Sequence, residues 1–182
     1  LLCKTWSKLR DTRPQLRLIL VPRHIERAED LAGSIRGLGH RVARKTTLET
    51  GRETPSEDHV LIVDTIGDLM TCYALADCAF VGRSLLPPGG GQNMMEPAAL
   101  GKPVLLGPYT SNFRPEMELL RTKDAVWEVN DPNELTGAVR SLLENPDLAR
   151  TLGRRARQTV LQSRGAAQRT LRALENALAI GD

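Results

Sequence analysis

Four short apolar runs, each followed by residues at helical spacing, constrain this chain more than anything else in it. Leu16–Val21, rich in leucine and β-branched residues, and Val60–Val63 read as strands buried on both faces, and Ala79–Val81 and Val104–Leu106 read as further strands. After the first run, Ile25, Ala28, Leu31, Ala32, Ile35 and Leu38 fall on one helical face, and Gly39 stands where a helix ends. Strands that alternate with helices run parallel, because parallel neighbours need a crossover between them. The expected fold is α/β, a Rossmann-like parallel sheet with helices on both faces.

The same reading along the chain gives a weaker strand at Arg41–Lys45 and a polar stretch, Thr46–Asp58, that contains Gly51 and Pro55 and reads as a mobile surface loop. Helices are expected from about Gly67 to Ala76, Asn93 to Leu100 and Glu116 to Thr122, with a further strand at Ala125–Val129. Asp131-Pro132-Asn133-Glu134 has the form of a capped helix start. Pro146 opens another helix, and Gly165 is expected to separate it from a last one carrying Leu171, Leu174 and Leu178.

Composition narrows the function classes. The 182 residues are 41% hydrophobic and 26% charged, ordinary for a globular domain and unlike a disordered chain. No apolar run approaches the ~20 residues of a membrane span, so the fragment itself is expected to be soluble. Cys3, Cys72 and Cys78 form no CxxC pair and read as reduced, packed thiols; neither they nor His24, His40 and His59 have the spacing of metal ligands. Seven arginines face three acids between Asp147 and Asp182, with no aromatic residue among them. That pattern argues against nucleic acid and leaves a solvated helix face or an anionic membrane surface.

Parallel sheets bind ligands at the carboxyl ends of their strands. Three strand-to-helix turns there are unusual: Pro22-Arg23-His24, Thr65-Ile66-Gly67-Asp68, and Ser84–Glu96 with its Gly89-Gly90-Gly91 triplet. Glycine amides before a helix start, together with a guanidinium, suit an anion such as a nucleotide phosphate. Neither GxxxxGK[ST] nor GxGxxG is present, which argues against P-loop and dinucleotide-binding domains. No Asp-x-Asp pair offers to hold a metal on a diphosphate, so no cofactor or metal is expected here.

PRHIER at 22–27, DTIGDL at 64–69 and GGGQNMMEPAALGKPVLLGPYTSNF at 89–113, in that order, resemble the donor-binding, carboxy-terminal half of the 3-deoxy-D-manno-octulosonic acid (Kdo) transferases. The likeness extends from about Leu16 to Ala179. It implies the carboxy-terminal half of a two-domain GT-B glycosyltransferase that moves Kdo from CMP-Kdo to a lipid A precursor in lipopolysaccharide biosynthesis, at the cytoplasmic face of a Gram-negative inner membrane. Residues 1–15 then read as a linker from an amino-terminal domain, and 16–182 as the CMP-sugar binding domain with its C-terminal helices.

By the resemblance, Pro22 and Arg23, then Gly67, Asp68 and Leu69, then Asn93, Met94, Met95 and Glu96 contact CMP, with Glu96 accepting from the ribose hydroxyls. Gly89, Gly90, Gly91 and Gln92 are candidate phosphate or sugar contacts. The family usually has His at Gln92, Pro-Leu at Met94-Met95 and Glu at Asp68; backbone contacts at 67, 69, 94 and 95 survive such changes, whereas a role for that histidine does not. The family's catalytic carboxylate and its contact with the lipid acceptor belong to the amino-terminal domain, so no catalytic residue is expected in this chain and no transfer from it alone. A UDP-sugar-dependent GT-B transferase, a sugar-nucleotide epimerase of related fold and a non-catalytic nucleotide-binding module are the alternatives.

Overall fold

The computed structural model describes residues 1–54, 56 and 58–179, and of 164–179 the helical backbone alone. Two compact units are present: unit 1 is Leu1–Leu75 with Pro132–Arg140, and unit 2 is Ala76–Asp131 with the chain from Ser141 on.

Unit 1 holds a three-stranded sheet of β1 (Leu18–Leu20), β2 (Arg41–Arg44) and β3 (His59–Ile62), in the order β1-β3-β2 and parallel throughout. Val60 and Ile62 are fully buried on the central strand, against Ala32 and Ile35 of α2 (Ala28–Gly37). That helix is entered through a 3-10 turn at Ile25–Arg27 and leaves through Gly39, whose φ of +82° no β-carbon would tolerate well. Ile25 and Leu38, expected on the apolar face, are exposed at its two ends.

Two segments of unit 1 differ from expectation. Residues 2–10 form α1 (Leu2–Arg10), with Cys3, Trp6 and Leu9 buried, where a linker was expected. The Trp6 indole N–H donates to Leu16 O at 3.1 Å, and Thr136 donates to Thr5 at 3.2 Å from the start of α7 (Pro132–Glu144). The polar stretch after β2 begins with a short helix, α3 (Lys45–Glu49), before it becomes irregular. The unit continues into α4 (Leu69–Leu75).

Unit 2 repeats the scheme with β4 (Ala79–Phe80), β5 (Val104–Leu106) and β6 (Trp127–Glu128), again parallel, in the order β4-β5-β6. β5 lies between the other two and all three of its residues are fully buried, as its unbroken apolar run requires. Met94, Ala98 of α5 (Met95–Ala99), Met117 and Leu120 of α6 (Arg114–Arg121), and Ala156 and Val160 of α8 (Pro146–Ala179) complete this core. Helix α8 runs through Gly165 without a break, so the expected separation there is not found: one glycine costs a helix about 1 kcal/mol and does not end it. The side chains of Leu171, Leu174 and Leu178, and of Arg164, Arg169 and Arg172, lie outside the described residues.

Candidate functional site

The register of unit 1 places Leu20, Ile62 and Arg44 in one row across the sheet. The residues that follow them leave the sheet at a common edge: Val21-Pro22-Arg23 from β1, Val63-Asp64-Thr65 from β3 and Lys45-Thr46 from β2. Val63 N–H still donates to Leu20 O at 2.9 Å, holding the first two together. Pro22 is half-buried and Arg23 exposed; among the described residues the Arg23 guanidinium has no hydrogen bond or ion pair. It is therefore available to an anion.

The 64–69 turn is more occupied than its sequence implies. The Thr65 hydroxyl and the Lys45 ammonium, the latter at 3.0 Å, both bind Asp68 Oδ2, and Lys45 reaches Glu49 at 2.8 Å as well. The Thr65 hydrogen bond first, and Lys45 second, hold the Asp68 carboxyl below the usual carboxylate range. Both bonds fall on Oδ2, and among the described residues the other oxygen, Oδ1, has no partner. Gly67, at φ +98°, has open space where a β-carbon would be, so its requirement is the backbone angle and not room.

Next to it, Asp64 Oδ1 accepts Thr46 N–H at 3.0 Å and Oδ2 accepts the Thr46 hydroxyl at 2.6 Å, with Arg44 Nε 3.8 Å away. Burial pushes this carboxyl up, but the two bonds from Thr46 and the Arg44 charge outweigh it, and the net shift is downward. Sequence reasoning missed Arg44, Lys45, Thr46 and Asp64. Their positions just past strand ends were the signal that could have found them.

Acid stability follows. Asp64 and Asp68 bind a proton less readily in the folded chain than in the unfolded one, so their contribution is full above the unfolded carboxylate pKa of about 4 and is lost as pH falls through the lower folded values. Melts followed by circular dichroism between neutral pH and ~3 are expected to show the melting temperature falling more steeply for the wild type than for Asp64→Asn. Equal acid limbs would remove Asp64 from this role.

In unit 2 the loops after β4 and β5 are laced together. Gly90 N–H donates to Tyr109 O at 3.0 Å, Gly91 N–H to Arg83 O at 2.8 Å, and Asn112 N–H to Gly90 O at 3.2 Å. Gly89, Gly90 and Gly91 are all buried, with φ of +63°, +101° and +76°. A β-carbon on Gly89 would lie 2.2 Å from Tyr109 Cβ, and one on Gly90 2.7 Å from Asn112 Nδ2. The triplet is thus explained by left-handed backbone and by the close approach of two loops. The amides of Gly90 and Gly91, expected to face an anion, are spent on carbonyls of the chain.

Asn93 and Glu96 form a small polar unit at the start of α5. Asn93 Oδ1 accepts Met95 N–H at 3.0 Å, so Asn93 does start the turn, and its Nδ2 donates to Glu96 Oε1 at 3.0 Å. Among the described residues the other carboxylate oxygen, Oε2, has no partner, and Glu96 is half-exposed. A carboxylate held by one oxygen and open at the other suits a pair of neighbouring hydroxyls. The Met94 side chain is fully buried and so is not free for a ligand, and Met95, half-buried, packs against the same core. Helix α5 has five residues, too few for a substantial dipole. Gln92 is half-buried beside this pair.

The structure therefore brings Pro22, Arg23, Gly67, Asp68 and Leu69 to one sheet edge of unit 1, and Gly89 to Glu96 to the loop after β4 of unit 2. Among the described residues no group of three His, Cys, Asp or Glu is placed to hold a metal, and no helix is long and apolar enough to cross a membrane.

Residues 88–175 match a family described as glycosyl transferase-like. The chain is 37% identical over 160 residues to the 3-deoxy-D-manno-octulosonic acid transferase of Haemophilus influenzae, covering 87% of this chain and 36% of that protein. It is 34% identical over 167 residues to the enzyme of the same name from Bordetella pertussis, covering 92% and 38%. The chain thus spans little more than a third of the length of these curated relatives. Among solved structures, the C-terminal CMP-Kdo binding domain of WaaA from Acinetobacter baumannii superposes with a TM-score of 0.78 at 26% identity, covering 86% of this chain and 80% of that one.

Proposed function

Since the chain belongs to the Kdo transferase family, as the carboxy-terminal domain of its GT-B glycosyltransferase fold, we propose that it holds CMP-Kdo while Kdo passes to a lipid A precursor bound elsewhere in the full-length enzyme. The observation that carries the reading is the likeness to a domain whose ligand is CMP-Kdo. In this assignment Arg23 grips the phosphate with its free guanidinium, and the backbone at Gly67 and Leu69 lies along the nucleotide. Glu96, anchored by Asn93 through Oε1, turns Oε2 to the ribose hydroxyls.

Chemically the domain stabilises a leaving group. The bond that breaks joins the sugar's anomeric carbon to the phosphate oxygen of CMP, and negative charge accumulates on that phosphate as it leaves. A cation placed beforehand at the phosphate lowers the barrier without proton transfer. The base that takes the proton from the acceptor hydroxyl belongs to the rest of the protein. The setting is the cytoplasmic face of the inner membrane of a Gram-negative bacterium, where the arginines at 150, 154, 155 and 157 face an anionic lipid surface.

Calorimetric titration with CMP, UMP, UDP and ADP tests the reading. CMP is expected to bind most tightly. A preference for UDP would favour a UDP-sugar transferase, which shares the fold, and absence of binding by any nucleotide would overturn the donor role.

A further inference from the structure

Arg83 stands at φ +56°, in the left-handed region where an arginine is strained and a glycine is not. Its carbonyl and the residue after it are held by hydrogen bonds. Its own carbonyl accepts Gly91 N–H at 2.8 Å, the Ser84 carbonyl accepts Tyr109 N–H at 2.8 Å, and the fully buried Ser84 hydroxyl donates to Val81 O at 2.5 Å while accepting Gly107 N–H at 2.8 Å. The surrounding bonds hold the backbone in a conformation that costs free energy for this residue type.

What the side chain gives in return is not structural. Arg83 is exposed, and among the described residues its guanidinium has no hydrogen bond, ion pair or ring contact. A glycine would fill the backbone position with less strain and lose no side-chain hydrogen bond or ion pair. The residue lies just past the carboxyl end of β4 and one hydrogen bond from Gly91, two residues before Asn93. An always-charged, planar donor with five N–H groups, held at that place without an internal partner, is suited to an anionic oxygen pair.

We infer that Arg83 is a further donor-binding residue, in which a strained backbone presents a guanidinium to an anionic group of the nucleotide sugar. The group is either the nucleotide phosphate or the carboxylate of the sugar acid, which offer the same pair of oxygens. The inference rests on the donor-binding reading above and adds a cation that the family motifs quoted from this sequence do not include.

The test compares the wild type with Arg83→Gly and Arg83→Lys by calorimetric titration with cytidine, CMP and CMP-Kdo, beside thermal melts. Arg83→Gly is expected to melt no lower than the wild type, since glycine relieves the left-handed strain. Its affinity for CMP is expected to fall at least ~10-fold if the phosphate is the partner, the loss of a charge-assisted hydrogen bond. A loss confined to CMP-Kdo would assign the sugar carboxylate instead. Cytidine binding stays unchanged in either case, and Arg83→Lys, which keeps the charge and loses the fork, falls between. Equal affinity of wild type and Arg83→Gly for CMP and for CMP-Kdo overturns the inference and leaves the donor reading intact. A wild type that binds neither ligand overturns both.

Discussion

Gly153→Ala is expected to lower the melting temperature by about 4–8 °C, although alanine is the better helix former by about 1 kcal/mol. Gly153 lies inside α8, where that propensity alone predicts a gain. Yet a β-carbon there would sit 2.0 Å from the carbonyl oxygen of Gly101 and 2.9 Å from its carbonyl carbon. Both are backbone atoms. Gly101 ends α5 at φ +71°, tied by its N–H to Ala98 O at 2.9 Å, so it cannot turn aside as a flexible side chain would. Forcing the new atom in separates α8 from the end of α5, and overpacking of this kind costs ~1–3 kcal/mol or more, beyond the helix gain. Differential scanning calorimetry reads the sign directly. A stabilised Gly153→Ala would mean that the α5–α8 contact is looser than its geometry.

Arg23→Ala and Glu96→Ala are each expected to weaken CMP about ten- to a hundred-fold, as when a charged hydrogen-bonding partner is removed. In the proposed assignment the two act through different parts of the nucleotide. Glu96→Ala is expected to weaken cytidine as well as CMP, because the ribose is common to both, whereas Arg23→Ala affects CMP alone. Gln92→His, which restores the residue usual in the family, is expected to leave CMP affinity unchanged. Arg23 is exposed and makes no internal bond, so its alanine variant should melt like the wild type. If both variants lose melting temperature while the folded fraction binds CMP as before, their roles are local and structural, and the site assignment falls.

Where sequence and structure agree, the signal was local. Val104–Leu106 was legible as a strand because both its faces are buried, and Gly39 as a helix end because a left-handed residue leaves few alternatives. Where they differ, the cause lies far along the chain. Helix α3 starts where Asp64, eighteen residues later, accepts the Thr46 amide, and nothing within Thr46–Asp58 announces that bond. The glycine triplet was read as amides suited to an anion, but what comes close to it is Tyr109 and Asn112, on the loop after the next strand. Helix α1 had a visible pattern in Cys3, Trp6 and Leu9, at three-residue spacing, which the absence of a capping residue hid. Of the candidate site, the residue types at 23, 93 and 96 were readable because their chemistry is in the side chain. Arg83 was not, because what sets it apart is a backbone angle.

The burial of Trp6 in unit 1 has a spectroscopic consequence. The chain has two tryptophans, and the other, Trp127, lies on β6 of unit 2. Each unit thus carries a single indole chromophore, one enclosed against a histidine edge and under a guanidinium, the other half-buried on a strand. Their emission reports separately on the two halves of the polypeptide, and the molecule comes with an intrinsic optical label for each.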